Sequence, residues 1–122
     1  MTSIFISYST SDANRLGINE VVNFLNEKPF IEEVIYWEGW SGYPDGNIVK
    51  FMEEGISRCS IFIPFFTKSY RSSENCMKEY ETAMVINKKM IPVFESIEDV
   101  PLLCRRVRGV ETRIAKSPFI IK

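Results

Sequence analysis

Residues 70–89 read YRSSENCMKEYETAMVINKK and predict a long helix in which one residue is out of place. At about 100° per residue, one line along this helix collects Cys76, Tyr80, Ala83 and Asn87. Glu79 lies beside that line on the same apolar half, whereas the other charges fall towards the opposite side: Lys78, Glu81, Lys88 and Lys89. A carboxylate among apolar groups costs free energy unless it is paired or hydrogen-bonded, and desolvation raises its pKa. Glu79 is therefore a candidate for chemistry, and the alternative is a structural carboxylate that caps a loop or pairs with Arg71 or Lys68.

The composition is that of an ordinary globular protein and predicts one domain over residues 1–122. Of the 122 residues, 45% are hydrophobic and 25% are charged, and a chain of this length is too short for two good cores. The net charge of −1 gives no electrostatic reason to bind nucleic acid or an anionic membrane, and no apolar run approaches the length of a membrane span. The cysteines are odd in number and widely spaced, which favours a reducing cytosol over a disulfide framework or a zinc site: Cys59, Cys76 and Cys104. We therefore expect a cytoplasmic domain without nucleic-acid, membrane or metal contacts.

The chain contains no histidine, and this excludes several kinds of enzyme. Ser-His-Asp and Cys-His catalysis, HExxH metalloprotease chemistry and any histidine-based acid/base scheme are ruled out. Catalysis, if the domain has any, must use carboxylates, hydroxyls, thiols or lysines.

Strand and helix patterns alternate along the chain. Apolar, β-prone runs predict strands at residues 4–9, 33–37, 60–66 and 90–94, with a weaker fifth at 110–114. Apolar stripes predict helices around residues 18–25 and 48–56 besides the one at 70–89, and a short helix at 99–106. This alternation predicts a parallel sheet with helices on both faces.

Three local features shape these predictions. Oxygens of Thr10, Ser11 and Asp12 are expected to cap the first helix, in which Gly17 weakens the pattern but does not break it. Pro64 lacks an N–H for a ladder and predicts a bulge or an early strand end. Residues 67–75 are expected to form a polar loop.

Ligands of such folds bind beyond the carboxyl ends of the strands. Three loops are predicted to meet at that edge, at residues 7–12, 37–46 and 67–75. Glu79 lies early in the helix that leaves the third loop, so we expect it to face the crevice between them.

Several motifs together resemble those of the TIR (Toll/interleukin-1 receptor) domain, of the prokaryotic type. They occur in the family's order and spacing: Phe5-Ile6-Ser7-Tyr8-Ser9 in the first strand, residues 37–46 with Asn47-Ile48 as the BB loop, residues 57–63 before the central strand, Cys76-x-x-Glu79, and Ile91-Pro92-Val93. The resemblance implies a flavodoxin-like three-layer sandwich with a five-stranded parallel sheet. It also implies that Glu79 is the residue with which catalytic members cleave NAD⁺ to nicotinamide and an ADP-ribose product. NAD⁺ would be a substrate, and no cofactor is expected.

Two departures from the family pattern bear on the site. Many members carry an aspartate at the end of the second strand, where this chain has Trp37 and then Glu38. The family also usually ends in one more helix, whereas this chain stops at Lys122, so we expect it to be a domain cut from a longer protein.

The remaining site residues are predicted from the three loops. Ser7 and the residues that follow it are candidates for adenosine or phosphate contacts, although hydroxyls at a strand end more often cap helices: Tyr8, Ser9 and Thr10. Aromatic rings of the second loop could stack on a ligand ring or form an assembly surface, with a closing glycine beside them: Trp37, Trp40, Tyr43 and Gly46. Cys76 completes the set, either as a thiol of lowered pKa or, more simply, as a small packing residue.

Three functions remain open from the sequence. The first is an NAD⁺ glycohydrolase or cyclase activated by self-assembly in a defence or signalling system. The second is a non-catalytic module that joins other TIR domains through the BB loop, at Gly39, Trp40, Tyr43, Pro44 and Asp45. The third is a nucleoside deoxyribosyltransferase-like enzyme, which also uses a glutamate on a glycosidic bond.

Overall fold

The computed structural model describes residues 2–36, 48–102, 104 and 110–111. Its strands are β1 (Thr2–Ser7), β2 (Ile31–Ile35), β3 (Ile61–Phe66), β4 (Lys89–Met90), β5 (Val93–Phe94) and β6 (Val110–Glu111). Its α-helices are α1 (Ala13–Leu16), α2 (Ile18–Asn26), α3 (Ile48–Arg58), α4 (Lys68–Ser72) and α5 (Glu74–Val85). Short 3₁₀ turns lie at Thr10–Asp12 and Ile97–Asp99.

The described strands form one parallel sheet in the order β2-β1-β3-β5-β6, with β4 paired to β3 beside β5. The register of the central pair runs from Ile4 opposite Ile61 to Ser7 opposite Pro64. β4 and β5 are two pieces of the single fourth strand that the sequence predicts, separated at residues 91–92 where Pro92 lacks an N–H. The predicted five-stranded parallel sheet is thus confirmed.

Helices cover both faces of this sheet, as predicted. Side chains on one face of β1, such as Ile4 and Ile6, pack with α1 and α2, and those on the other face, such as Phe5, pack with α3, α4 and α5. Gly55 of α3 lies so close to β1 that a Cβ there would stand 2.7 Å from the Phe5 ring. Ser7 is two residues after Phe5 in the strand, so its side chain lies on the same face and also points towards α5.

Gly17 breaks the first helix, which corrects the expectation that it would only weaken it. Its φ of 67° is left-handed, and its N–H closes α1 by donating to the carbonyls of Ala13 and Asn14. Glycine adopts this conformation without the steric cost that a Cβ brings. The predicted capping is also wrong, because Asp12 occupies the N-cap position of α1 without a side-chain cap hydrogen bond, and Thr10 and Ser11 lie in the 3₁₀ turn before it.

Pro64 lies inside the central strand β3 and does not end it, so the predicted bulge or early end is wrong. The Phe62 carbonyl accepts a hydrogen bond from the Ile91 N–H at 3.0 Å, and alternate residues from Phe62 onward therefore turn their backbone groups towards β4 and β5. The residues beside Pro64 on that side are 91–92, which connect β4 to β5 and belong to neither strand. The missing N–H falls where the ladder is already interrupted.

The helix predicted over residues 70–89 is two helices, and the polar loop predicted over residues 67–75 contains the first. Thr67 caps α4 by accepting from the Tyr70 N–H, and Ser73 caps α5 by accepting from the Cys76 N–H. Each cap satisfies an N–H that the helix itself leaves without a partner. The buried face of α5 agrees with the predicted line: Cys76, Glu79, Tyr80 and Ala83.

Two remaining predictions concern the helix at residues 99–106 and the second loop. The helix predicted at residues 99–106 is not an α-helix over its described residues, 99–102 and 104. Asp99 ends the 3₁₀ turn Ile97–Asp99, and Leu102 and Cys104 are also in 3₁₀ conformation. The second loop, residues 37–47, lies outside the described residues. None of the helices that the structure describes is long and apolar enough to cross a bilayer.

Candidate active site

Glu79 lies in the second turn of α5, where that helix packs against the end of β1. Only 6% of its surface is exposed. Its Oε1 accepts a hydrogen bond of 2.5 Å from the Ser7 hydroxyl, across 72 residues of sequence. This contact ties the candidate catalytic helix directly to the central region of the sheet.

A second hydroxyl extends the contact inward. The Ser7 Oγ lies 2.7 Å from the Tyr70 hydroxyl, and Ser7 and Tyr70 are 1% and 0% exposed. The Tyr70 ring is held edge-on against Phe66 at 5.1 Å between ring centres. Tyr70, Ser7 and Glu79 therefore form a hydrogen-bonded chain that runs from the core to the edge of the sheet.

Burial raises the pKa of Glu79 to about 7, and the hydrogen bond from Ser7 acts in the opposite direction. Neither of the cations considered as partners pairs with it, since Arg71 donates instead to the Asp99 carbonyl at 3.2 Å and Lys68 is exposed. The structural alternative of a Glu79 ion pair thus has no support among the described residues. A carboxylate of this kind changes its charge near neutral pH.

A pocket of about 210 Å³ opens beside Glu79. Its described lining comes from the end of β1 and from the start of α5: Tyr8, Ser9, Thr10, Ser73, Asn75, Cys76 and Glu79. Two of the three loops predicted to meet at this edge therefore do so. Four predicted site residues belong to the second loop and lie outside the described residues: Trp37, Trp40, Tyr43 and Gly46.

The predicted residues of the first loop differ in their surroundings. Tyr8 is 5% exposed and packs with the α1–α2 face of the core, while still lining the pocket. The Ser9 hydroxyl lies 3.0 Å from that of Ser11, and Thr10 is exposed. Whether these groups bind a ligand stays a prediction.

Cys76 lines the pocket as a protonated thiol. Burial raises its pKa to about 11, and the nearby Glu79 charge also raises it, whereas the hydrogen bond to Ser73 lowers it. The reading of Cys76 as a low-pKa thiol is therefore wrong, and the packing interpretation stands.

Sequence reasoning missed three residues of the site and the role of a fourth. Ser7 was a candidate only for ligand contacts, and Tyr70, Ser73 and Asn75 were not singled out. The alternation of β1 carries a signal for Ser7, because it places this polar residue on the same face as Phe5, towards the helices. No sequence signal pairs Tyr70 with Ser7, since 63 residues separate them.

A second buried carboxylate, Asp12, lies at the same edge of the sheet and is also 6% exposed. The Thr67 hydroxyl donates to its Oδ2 at 2.6 Å, and Arg15 pairs with its Oδ1 at 3.0 Å. Arg15 also pairs with Glu95 at 2.7 Å. Asp12 thus fastens the ends of β1, β3 and β5 to one another.

The comparisons with known proteins identify the class. The family model described as TIR domain matches residues 4–117, and the chain belongs to this family. The TIR domain of the Toll-related receptor TRR-2 from Hydra magnipapillata superimposes with a TM-score of 0.75 at 14% identity, over 91% of this chain and 84% of that one. The TIR domains of the activated Roq1 resistosome, which directly recognises the pathogen effector XopQ, superimpose with a TM-score of 0.62 at 20% identity, over 89% of this chain and 65% of that one. At such identities these likenesses concern the fold. No curated protein sequence matches the chain.

Proposed function

We propose that this TIR domain cleaves the nicotinamide–ribose bond of NAD⁺, with Glu79 as the catalytic carboxylate. One observation carries the proposal: Glu79 is 6% exposed, lies at the wall of an open pocket beyond the strand ends, and has a hydroxyl rather than a cation as its described partner. A carboxylate that served only stability would gain from a cation or from several donors. Glu79 has the arrangement of a group that awaits positive charge from a ligand.

The chemistry of the bond suits a single carboxylate. Cleavage proceeds through an oxocarbenium-like transition state, as in other glycosidic bonds. Nicotinamide leaves as a neutral molecule, so no acid is needed to protonate it. The absence of histidine from the chain therefore does not prevent this reaction. Glu79 would stabilise the positive charge that develops on the ribose, and among apolar groups that interaction is weakly screened.

The size of the pocket favours the binding of only a part of NAD⁺. At about 210 Å³ it is smaller than the roughly 300–1,000 Å³ of sites that enclose a whole drug-sized ligand. It suits the nicotinamide riboside end of the dinucleotide. Groups outside this pocket would bind the adenosine, from the second loop of the same domain or from a neighbouring domain.

Assembly would then control activity. The Roq1 likeness is to TIR domains within an activated resistosome, and we propose that copies of this domain also join through the second loop at Gly39, Trp40, Tyr43, Pro44 and Asp45. The isolated domain would be weakly active until it is clustered. If assembly occurs without turnover, the domain is a scaffold.

The test measures nicotinamide release from NAD⁺ by the domain in dilute solution and captured at high density on nickel-bearing vesicles through an added tag. We expect release to rise on the vesicles and to fall about 10²–10³-fold in Glu79→Gln, as when a main electrostatic group of an active site is lost. Glu81→Gln is the matched control, because Glu81 is an exposed glutamate two residues further along the same helix.

Two results would contradict the proposal. A clustered wild-type domain that releases no nicotinamide would leave only the scaffold function. Turnover that persists in Glu79→Gln would place the active site elsewhere.

A further inference from the structure

The two hydroxyls behind Glu79 do not reach the pocket. Ser7 and Tyr70 are 1% and 0% exposed, and the described pocket lining includes neither of them. Neither side chain is therefore in a position to touch a ligand. Any part they take in the chemistry passes through Glu79.

With Glu79 ionised, the protons in this chain have one consistent arrangement. Ser7 has a single hydroxyl proton, and it donates that proton to Oε1 of Glu79. The 2.7 Å contact between Ser7 and Tyr70 must then use the proton of the Tyr70 hydroxyl. The chain thus donates in one direction, from Tyr70 to Ser7 to Glu79.

We propose that Ser7 and Tyr70 are positioning residues for Glu79, which fix its Oε1 through this one-way hydroxyl chain and leave Oε2 to face the ligand. No described residue donates a hydrogen bond to Oε2. A carboxylate held by one oxygen keeps a fixed orientation while its second oxygen stays available to a developing charge. This inference rests on the proposed function only for its effect on turnover, because the effect on Glu79 itself is measured without NAD⁺.

The chain also favours the charged form of Glu79, which burial disfavours. The titratable groups around it are Tyr70 from α4, Cys76 from its own helix and Tyr8 from the end of β1. Burial and the Glu79 charge raise the pKa of Tyr70 well above its ordinary value, and burial raises that of Cys76 to about 11. No charged side chain among the described residues contributes to the shift of Glu79. Changes in its titration therefore report on the hydroxyl chain.

The test follows the side-chain carboxyl carbon of Glu79 by NMR in the whole chain labelled with ¹³C-glutamate, the signal being assigned by its loss in Glu79→Gln. Ser7→Ala removes the donor, and we expect the titration midpoint of Glu79 to rise by about one pH unit. This rise corresponds to the free energy of one hydrogen bond to a charged group. Tyr70→Phe weakens the Ser7 donor without removing it, so a smaller rise of about half a unit is expected. Ser7→Thr keeps the hydroxyl and should restore the midpoint.

Two matched controls separate this effect from general changes in packing. Ser3→Ala changes a buried serine of the same strand, and Tyr80→Phe changes a buried tyrosine of the same core cluster, with no described contact to Glu79 in either case. Both should leave the midpoint where it is. In clustered samples that turn over NAD⁺, the rising limb of the pH–rate profile should move with the NMR midpoint.

An unchanged midpoint in both Ser7→Ala and Tyr70→Phe would overturn the inference, as would equal changes in the controls. A rise confined to the two chain variants supports it. Absence of turnover in the clustered wild type would refute the proposed function alone, and the titration would still decide on the hydroxyl chain by the same criterion.

Discussion

Asp12 and Glu79 are both 6% exposed at the same edge of the sheet, yet the protein holds them in opposite ways. Each oxygen of Asp12 has a partner, Thr67 on one and the Arg15 guanidinium on the other. Glu79 has one hydroxyl on one oxygen. Equal burial therefore produces two different kinds of carboxylate.

The difference shows how a fold separates structure from chemistry. A buried charge with a cation and a donor holds chain segments together, because removing any partner leaves the others unsatisfied. A buried charge with a single donor is destabilising in itself, and proteins keep such groups mainly at functional sites. The comparison predicts opposite effects on stability for changes at the two positions.

The largest effect is expected for Asp12→Ala. It leaves the Thr67 hydroxyl, 3% exposed, without its acceptor and removes one of the two anions from Arg15. We expect a loss of about 3 kcal/mol in the free energy of unfolding. This value is at the low end of the losses seen when one partner of a buried ion pair is removed, because Arg15 is half-exposed. Urea unfolding at pH 7 measures it, with Asp12→Asn as the milder control that keeps an acceptor. A loss below that of Asp12→Asn would break the comparison.

Glu79→Gln is expected to stabilise the domain at high pH. The pKa of Glu79 is raised from 4.5 to about 7 in the folded protein, so the folded state holds a proton that the unfolded state releases between these values. The stability that this proton supplies is complete below about pH 4.5 and is lost as the pH rises through about 7. Glutamine stays neutral throughout, and we expect a gain of about 2–3 kcal/mol at pH 8.

The pH dependence supplies the control for this prediction. At pH 4.5 the wild type is already protonated at Glu79, so the gain from Glu79→Gln should disappear. Thermal unfolding at the two pH values compares the proteins directly. A gain of equal size at both would show that the charge of Glu79 is not its cause.

A smaller effect is expected for Thr67→Val. The Thr67 Oγ1 accepts from the Tyr70 N–H and donates to Asp12, so valine removes the cap of α4 and one donor to the carboxylate. We expect a loss of about 1–2 kcal/mol in unfolding free energy. Thr67→Ser keeps the hydroxyl and should lose much less, and equal losses in the two variants would attribute the effect to the methyl group instead.

The fold and the residue at the centre of the site were predictable because both depend on local patterns. Apolar strands alternate with amphipathic helices, and this alternation determines a parallel sheet. Helical periodicity placed Glu79 on the buried face of α5 without any knowledge of the family. The family model then confirmed the resemblance carried by the motifs. The name of the substrate came only from that resemblance.

The parts that sequence could not supply depend on tertiary contacts. Ser73 ends one helix and caps the next, and a capping serine looks the same as any exposed polar residue in a helical pattern. Pro64 fits the central strand only because β4 ends before β5 begins. Asp12 has the sequence position of a helix cap, and its actual partners, Thr67 and Arg15, follow only from the positions of the strand ends. The hydrogen bond between Ser7 and Glu79 likewise depends on the fold, because 72 residues separate the two in sequence.

The smallest predicted effect concerns Arg15, and it tests whether the Asp12 cluster depends mainly on its hydroxyl or on its cation. The Arg15 side chain is 46% exposed, and it bridges Asp12 and Glu95 at the surface. Exposed ion pairs are worth roughly 0–1 kcal/mol and are screened by salt, so Arg15→Gln should cost less than about 1 kcal/mol in unfolding free energy, and less still in 1 M salt. Urea unfolding at low and high salt measures both values. A loss as large as that of Thr67→Val, unaffected by salt, would mean that the cation rather than the buried hydroxyl holds Asp12 in place.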